Sequence, residues 1–348
     1  MAWDIQFRNG IRLPQVDWWL DARFPVARSF VSHAHSDHIA AHREILCSPG
    51  TARLMRARVP GRRVEHVLPF GHTEALTADT AVTLYPAGHI LGSAQCLLEH
   101  AHNGRLLYTG DFKLRPGRSA ETCVTPRADV LIMETTFGLP RYAFPPDTEV
   151  WAGIVAFCRQ ALADGVTPVL FAYSLGKTQE LLHGLAEHQL PVMLHPQGMR
   201  LTRLYAKLGQ AVPPCRAFQA DDLSGQVVIC PPAWGNDPFL SGIHPRRTAA
   251  VSGWALDAGA VYRYQCDAAF PLSDHADFND LLALVDRVQP RLVYTVHGFA
   301  QEFAQTLRAR GIEAWAPGVI NQLELGLPAA PTSAVIAEGE NRGTSPPP

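Results

Sequence analysis

The chain has 348 residues, of which 47% are hydrophobic, 18% are charged and 9% are aromatic, and its formal net charge is -2. This composition is too apolar for a disordered chain, and the near-neutral charge gives no global basic signature for nucleic acid. The length allows one large domain or two smaller ones. The N-terminal residues lack the pattern of a signal peptide and no run of 18 apolar residues occurs, so we expect a cytoplasmic protein without a membrane partner.

Seven short apolar runs, rich in β-branched and aromatic residues, each end at a polar residue suited to chemistry. Runs of this length predict β-strands. Residues just beyond the carboxyl ends of strands often form ligand sites in α/β proteins, so we expect one edge of a sheet to carry the chemistry. In chain order the runs are 28–31, 81–85, 105–109, 129–133, 167–173, 268–272 and 291–296.

Helices are predicted between these strands, where apolar residues recur at spacings of three and four. The clearest cases are 150–162, 178–188 and 278–288. The alternation of strands and helices predicts the α/β class.

The stretch from about 150 to 265 has its own strands and helices but lacks the His and Asp density of its flanks, which indicates an inserted second domain. From Pro328 onward, Pro, Ala, Ser and Gly dominate, and this composition predicts a disordered tail. The predicted domains are a first domain of 1–149 that resumes over 266–328, an insertion of 150–265, and a tail of 329–348.

The segment after the first of these strands contains four potential metal ligands within six residues: His33, His35, Asp37 and His38. In a loop, His33 and His35 would project together while Asp37 and His38 turn the other way, which offers ligands to two neighbouring metals. Imidazole nitrogen and carboxylate oxygen suit Zn²⁺, with Mn²⁺ as a competitor. The alternative is a His-rich surface turn.

Three further candidate ligands follow later strands: His89, Asp111 and His297. With them the sequence resembles the metallo-β-lactamase fold, an αββα sandwich whose members use such a loop, a later His, an Asp and a final His as a two-metal site. The resemblance implies that Asp111 bridges two zinc ions and that the other ligands form two sets. The first set is His33, His35 and His89, and the second set is Asp37, His38 and His297.

A finer resemblance is to the β-CASP branch of this fold, nucleases of DNA repair and RNA processing that carry an inserted α/β domain between an acidic residue and two late histidines. Glu134, His275 and His297 match these three elements. Within the branch, Ser-Gly-Trp-Ala-Leu at 252–256 followed by Phe-Pro-Leu-Ser-Asp-His-Ala-Asp looks like the bacterial ligase-associated DNA exonucleases. The resemblance covers residues 15 to 325, approximately.

The resemblance implies hydrolysis of a phosphodiester at a two-metal site. Asp37 and Asp111 would position the attacking water, and His275, oriented by Glu134, would act as general acid toward the leaving oxygen. The family also places an acidic residue that orients a metal-binding histidine just before the first metal strand. Asp21 fits this role, with Asp17 as the alternative.

The segment from Ala172 to Gln179 imitates the end of a P-loop, but Phe171 stands where that motif requires glycine, which argues against nucleotide binding. In the β-CASP relatives a comparable turn opens a helix, where Ser174 and Lys177 could hold a substrate phosphate. The alternative is an ordinary helix start capped by Ser174.

Two groups of basic residues are candidates for contact with a nucleic-acid backbone, although most charge runs are solvated faces. We prefer the second group, because the inserted domain would cover the metal edge. The first group is Arg53, Arg56, Arg58, Arg62 and Arg63, and the second is Arg200, Arg203 and Lys207.

The expected function is that of a zinc-dependent nuclease, with a DNA exonuclease of DNA repair preferred over an RNA-processing ribonuclease. The ligase-associated resemblance favours DNA, whereas His297 favours RNA, because a His at this motif is commoner in RNA-directed members. A small-molecule metallo-hydrolase shares the metal loop but not the pair of Glu134 and His275, and a non-enzymatic scaffold is the third alternative. The family suggests a DNA ligase or a helicase as partner.

Overall fold

The computed structural model describes residues 2–232 and 237–317. Residues 318–328 of the predicted first domain, and the predicted tail of 329–348, lie outside the described residues. Within the described ranges no helix is long and apolar enough to cross a membrane.

The described strands are short and are numbered here along the chain. The first nine are β1 (Ile11–Leu13), β2 (Trp18–Leu20), β3 (Arg28–Phe30), β4 (Glu44–Cys47), β5 (Val64–Val67), β6 (Thr73–Ala75), β7 (Thr80–Pro86), β8 (Ala94–His100) and β9 (Gly104–Tyr108). The other nine are β10 (Val130–Glu134), β11 (Thr167–Phe171), β12 (Val192–Leu194), β13 (Arg216–Ala217), β14 (Val227–Cys230), β15 (Arg246–Val251), β16 (Ala268–Phe270), β17 (Leu292–Val296) and β18 (Glu313–Trp315).

Eight α-helices lie within the described ranges. They are α1 (Pro49–Arg58), α2 (Asp147–Ala163), α3 (Lys177–Glu187), α4 (Pro196–Lys207), α5 (Pro238–Ser241), α6 (Ala260–Arg263), α7 (Phe278–Val288) and α8 (Ala300–Ala309). The predicted α/β class is confirmed: the seven predicted strand runs coincide with β3, β7, β9, β10, β11, β16 and β17, and the three predicted helices coincide with α2, α3 and α7.

The first two sheets form an αββα sandwich, as the family resemblance implied. The first sheet has the order β1-β2-β3-β4-β5, and the second has the order β18-β17-β10-β9-β8-β7-β6. Apolar side chains from both sheets share one core, in which Phe30 and Leu46 of the first meet Leu84 and Leu106 of the second. The outer face of the first sheet packs against α1, and that of the second packs against α7 and α8. Burial of both faces of each sheet requires this layering.

The third sheet belongs to the insertion and has the order β13-β12-β14-β11-β15-β16, with every pair parallel. Its central strand β11 is buried at every position, as expected for a parallel strand covered on both faces. Helices α2, α3 and α4 share a hydrophobic core with one face of this sheet. The sheet includes β16, although the sequence prediction ended the insertion at residue 265.

The polar residues predicted to carry the chemistry do not lie at the edge of a single sheet, so this expectation was wrong. The polar residues follow β3 of the first sheet, β7, β9, β10 and β17 of the second, and β11 and β16 of the third. Apolar periodicity identifies a strand but does not say which sheet the strand joins. The strand ends of the three sheets come together because the insertion packs against the loop of predicted ligands at 33–38, called here the metal loop. A buried cluster crosses this contact, with Ala34 and Ile90 on one side and Leu175, Leu201 and Tyr205 on the other.

Candidate metal centre

The three histidines of the first predicted set converge on one point. His33 Nε2 lies 3.1 Å from His35 Nδ1, and His89 Nε2 lies 3.0 Å from the same His35 nitrogen. Three imidazoles bound to one tetrahedral zinc would have nitrogens about 3.4 Å apart, given Zn–N bonds of about 2.1 Å. The set is therefore close to the geometry that a single ion requires.

The outer nitrogens of two of these rings show which nitrogen carries the proton. His35 Nε2 lies 3.1 Å from the backbone oxygen of Leu175, and His89 Nδ1 lies 2.9 Å from the backbone oxygen of Asp274. A carbonyl oxygen only accepts, so these two nitrogens donate. The lone pairs of His35 Nδ1 and His89 Nε2 are therefore directed at the shared point, which is the arrangement of a metal ligand.

Asp111 lies between the two predicted sets. Its Oδ2 is 3.5 Å from His33 Nε2 and 3.3 Å from His38 Nε2. Asp37, whose side chain is partly exposed, places Oδ2 at 3.6 Å from His38 Nε2. The centroid of the His297 ring, the third member of the second set, lies 5.8 Å from that of His38.

Three buried atoms of this cluster have no hydrogen-bond partner among the described residues: His38 Nε2, Asp111 Oδ1 and His297 Nδ1. Buried polar atoms are almost always satisfied, because an unpaired one costs about 1–3 kcal/mol. Coordination of a cation would satisfy these atoms, and imidazole with carboxylate is a donor set that suits zinc. The residues present fit a divalent metal site, and the role of each as a ligand remains a prediction.

Burial and mutual proximity favour the neutral form of most of these rings. Burial lowers the pKa of His297 to about 3, and burial together with neighbouring histidines lowers the pKa of His33 and His89. His38 differs: burial alone would lower its pKa, but Asp111, Asp37 and Asp21 raise it. Neutral imidazole is the form that binds metal, so the first set is ready to coordinate without first losing a proton.

Asp21 contacts the metal loop directly and Asp17 does not. Asp21 Oδ2 lies 2.8 Å from His38 Nδ1 and accepts a hydrogen bond from the Tyr108 hydroxyl at 2.9 Å. Ser32 donates its backbone N–H to Oδ1 at 2.7 Å and its hydroxyl to Oδ2 at 2.6 Å. Asp17 is exposed and pairs with Arg12 at 2.9 Å. Asp21, rather than Asp17, is therefore the candidate in contact with His38.

Glu134 and His275 form a buried pair beside the first set. His275 Nδ1 lies 3.0 Å from Oε1 and 3.1 Å from Oε2 of Glu134. Burial alone would raise the pKa of Glu134, but the charge of His275 and hydrogen bonds from Thr136 and Phe112 hold it below its ordinary value. The His275 ring centroid is 4.6 Å from that of His89, so the pair adjoins the predicted ligands.

Ser174 lies in the turn before α3, and Lys177 is the first residue of that helix. Ser174 does not cap the helix, so that alternative was wrong: the helix begins after Gly176, whose N–H donates to Gln179 Oε1 at 2.7 Å. Gly176 has φ +87°, which glycine adopts without strain. Ser174 is partly buried, and Lys177 is only 1% exposed. A phosphate contact by either residue remains a prediction.

The two basic groups meet across the boundary between the domains, because α1 packs against α4. In the first group Arg56 pairs with Glu65, as does Arg63. Arg58 is half-buried, and its pKa is lowered by burial and by Arg200. Neither Arg58 nor Arg200 has a carboxylate within 4.0 Å among the described residues.

Sequence reasoning missed three contributors to this site. The backbone carbonyls of Leu175 and Asp274 were missed because a carbonyl leaves no trace in residue identity. Arg23 was missed because it stands alone in the sequence, whereas in the structure its charge acts on both Asp37 and His297.

Comparisons with known proteins found a matching family model and several similar proteins. Residues 265–317 match the family model described as the Zn-dependent metallo-hydrolase RNA specificity domain. A probable DNA ligase of Opitutus terrae is 64% identical over 95% of this chain and 32% of its own length. The 5' exonuclease Apollo of Gallus gallus is 29% identical over 81% of this chain and 62% of its own length.

The chain spans only part of these relatives, about a third of the first and three-fifths of the second. A crystal structure of a protein of unknown function from Enterococcus faecalis V583 is similar in fold, with a TM-score of 0.56 and 13% identity over 84% of this chain and 79% of that one. The likeness to that structure supports the fold alone.

The contact between Asp21 and His38 predicts a loss of metal affinity when the Asp21 charge is removed. We expect Asp21→Asn to bind zinc about 10- to 100-fold more weakly, because the amide presents a donor where Ser32 and Tyr108 also donate. The measurement is the zinc dissociation constant from competition with a chromophoric chelator. Asp17→Asn is the matched control, since Asp17 also has positive φ but lies on the surface. Equal zinc affinity in the two variants would contradict the role of Asp21.

Proposed function

We propose that this chain is a zinc-dependent DNA exonuclease of the β-CASP branch of the metallo-β-lactamase fold and that it acts in DNA repair. The observation that carries this proposal is the convergence of His and Asp side chains beside the pair of Glu134 and His275. A ligand cluster alone also suits a small-molecule hydrolase. The added His–Glu pair supplies a proton donor for a leaving oxygen.

Two zinc ions would be held by the seven predicted ligands, with Asp111 between the two sets. Bound metal lowers the pKa of a water toward 7 and stabilises the attacking and leaving oxygens of a displacement at phosphorus. Asp37 is partly exposed, as is His35, so the Asp37 carboxylate is accessible to a water that approaches from solvent. Asp37 and Asp111 orient this water for attack.

His275 acts as the general acid in the proposed reaction. Its Nδ1–H donates to Glu134, which fixes the ring and directs Nε2 away from that carboxylate. A carboxylate partner also stabilises the imidazolium, so His275 holds a proton at Nε2 until the leaving oxygen takes it. The short distance between the His275 and His89 rings brings this proton next to the metal ligands.

The names of two relatives favour DNA over RNA as the substrate. Two relatives that match most of this chain are named a probable DNA ligase and a 5' exonuclease. The ligase name also supports the proposal that this chain works with a DNA ligase, because the chain corresponds to about a third of that longer protein. RNA is the second candidate, favoured by the matched family model, whose description names RNA specificity.

The substrate proposal predicts which oligonucleotide the protein degrades. Zinc-loaded protein is expected to shorten single-stranded DNA stepwise from one end and to leave RNA of the same sequence intact. The measurement uses oligonucleotides labelled at either end and resolved by electrophoresis, with His35→Ala as the metal-site control. Cleavage of RNA alone would assign the protein to RNA processing, and cleavage of neither substrate would refute the nuclease proposal.

The proton-donor proposal predicts that His275→Gln retains zinc but loses turnover. We expect kcat to fall about 10²- to 10⁴-fold, because general acid catalysis contributes on that scale. Glu134→Gln is expected to lower kcat in the same direction, since Glu134 orients the ring. The measurements are kcat and zinc content on the same preparation. Loss of zinc from His275→Gln would instead identify His275 as a ligand.

The basic residues at the domain boundary predict a salt-dependent contact with DNA. In a His275→Gln background, Arg200→Ala is expected to weaken DNA binding and to reduce the slope of log K against log salt concentration by about 1. Arg56→Ala is the matched control, because Arg56 is paired with Glu65. Binding constants over a salt series test this. An unchanged slope for Arg200→Ala would show that Arg200 does not contact the bound DNA.

A further inference from the structure

Lys177 is a buried charged residue that the proposed reaction does not use. Its side chain is 1% exposed, and Nζ donates to the backbone oxygen of Leu272 at 2.8 Å and to Asp274 Oδ1 at 3.0 Å. A buried ammonium group is costly unless it is paired, so both contacts are needed to keep this side chain inside. The charge is therefore directed toward the protein interior, and its partners lie in the segment that precedes His275.

Each of the two segments that Lys177 joins also accepts a hydrogen bond from a predicted metal ligand. Two residues before Lys177, the backbone oxygen of Leu175 accepts from His35 Nε2 at 3.1 Å. The partner Asp274 uses its backbone oxygen to accept from His89 Nδ1 at 2.9 Å. One ion pair thus connects the two carbonyls that fix which nitrogen of His35 and of His89 faces the shared point.

The turn before α3 fits closely against the first domain at this place. A Cβ on Gly176 would lie 2.3 Å from Ile90 Cγ2, so the turn approaches the residue after His89 as closely as its backbone allows. One helical turn further on, the buried Glu180 Oε2 accepts from the backbone N–H groups of Arg118 at 2.8 Å and Ser119 at 3.0 Å. The start of α3 is thus anchored to the first domain at two places.

We propose that Lys177 is a positioning residue that couples the seating of the inserted domain to the orientation of His35 and His89. Through Asp274 and the turn that contains Leu175, it holds the carbonyls that select the metal-facing nitrogen of each ring. The first ligand set is then complete only when the insertion is in place. This inference rests on the proposed metal-dependent function, and it gives Lys177 a role other than contact with a substrate phosphate.

The test compares zinc binding by Lys177→Met and Asp274→Asn with that of the unsubstituted 348-residue chain, in the absence of any nucleic acid. The first variant removes the ammonium group, and the second keeps the backbone oxygen of Asp274 but removes its charge. The zinc dissociation constants come from chelator competition, and the absorption spectrum of the cobalt-substituted protein reports ligand geometry. Arg247→Met is the matched control, because it breaks an ion pair with Asp164 at 2.9 Å on the surface of the same domain.

We expect both site variants to bind zinc about 10- to 100-fold more weakly, as changes to the partners of ligating histidines do, and to alter the cobalt spectrum. Arg247→Met is expected to keep the wild-type zinc affinity and spectrum. A folded Lys177→Met protein with wild-type zinc affinity and cobalt spectrum would overturn the proposal, even if its thermal stability or its KM changed. If Lys177→Met does not fold, the same comparison is made with Asp274→Asn, which replaces one side chain by another of the same shape.

The metal readout separates this inference from the proposed function. A wild-type protein that binds zinc but hydrolyses neither DNA nor RNA would refute the nuclease while the zinc affinities of the variants still decide the role of Lys177. A wild-type protein that binds neither zinc nor cobalt would overturn both.

Discussion

Five imidazoles in and around the first set each have one nitrogen hydrogen-bonded to a fixed partner, which directs the other nitrogen toward the interior. The pairs are His33 with Ser32, His35 with Leu175, His38 with Asp21, His89 with Asp274 and His275 with Glu134. A ring that flipped would break one of these hydrogen bonds, and an unpaired polar atom costs most where it is buried. The ring orientations are therefore set by the fold itself.

The residues that fix these rings come from all three sheets. Asp21 follows β2 of the first sheet, Glu134 ends β10 of the second, and Leu175 and Asp274 follow β11 and β16 of the third. No single sheet supplies all the partners, so the ring orientations depend on how the domains are packed. The apolar cluster of Ala34, Ile90 and Leu175 provides the burial that holds this arrangement together.

Prediction from sequence worked best where the signal is local. A strand-length apolar run followed by a polar residue indicated β3, β9 and β17 correctly, because strand periodicity and length are properties of a short segment. It failed for the capping of α3, where Gly176 with its positive φ and the Gln179 side chain replace Ser174. Ser is a common N-cap, but its use depends on the backbone conformation of the turn. It also left Asp17 and Asp21 as alternatives, since residue type alone cannot say which carboxylate points inward.

The sequence by itself determined the α/β class, the candidate metal ligands and the resemblance to a nuclease family, because residue type and spacing carry that information. Only the tertiary structure decided that Asp21 contacts His38, that Lys177 is buried against Asp274, and that Leu175 and Asp274 support the histidines through their backbone oxygens. The physical reason is that these contacts join segments up to 185 residues apart. Several of them use main-chain atoms that every residue shares, so they arise from packing rather than from the identity of any side chain.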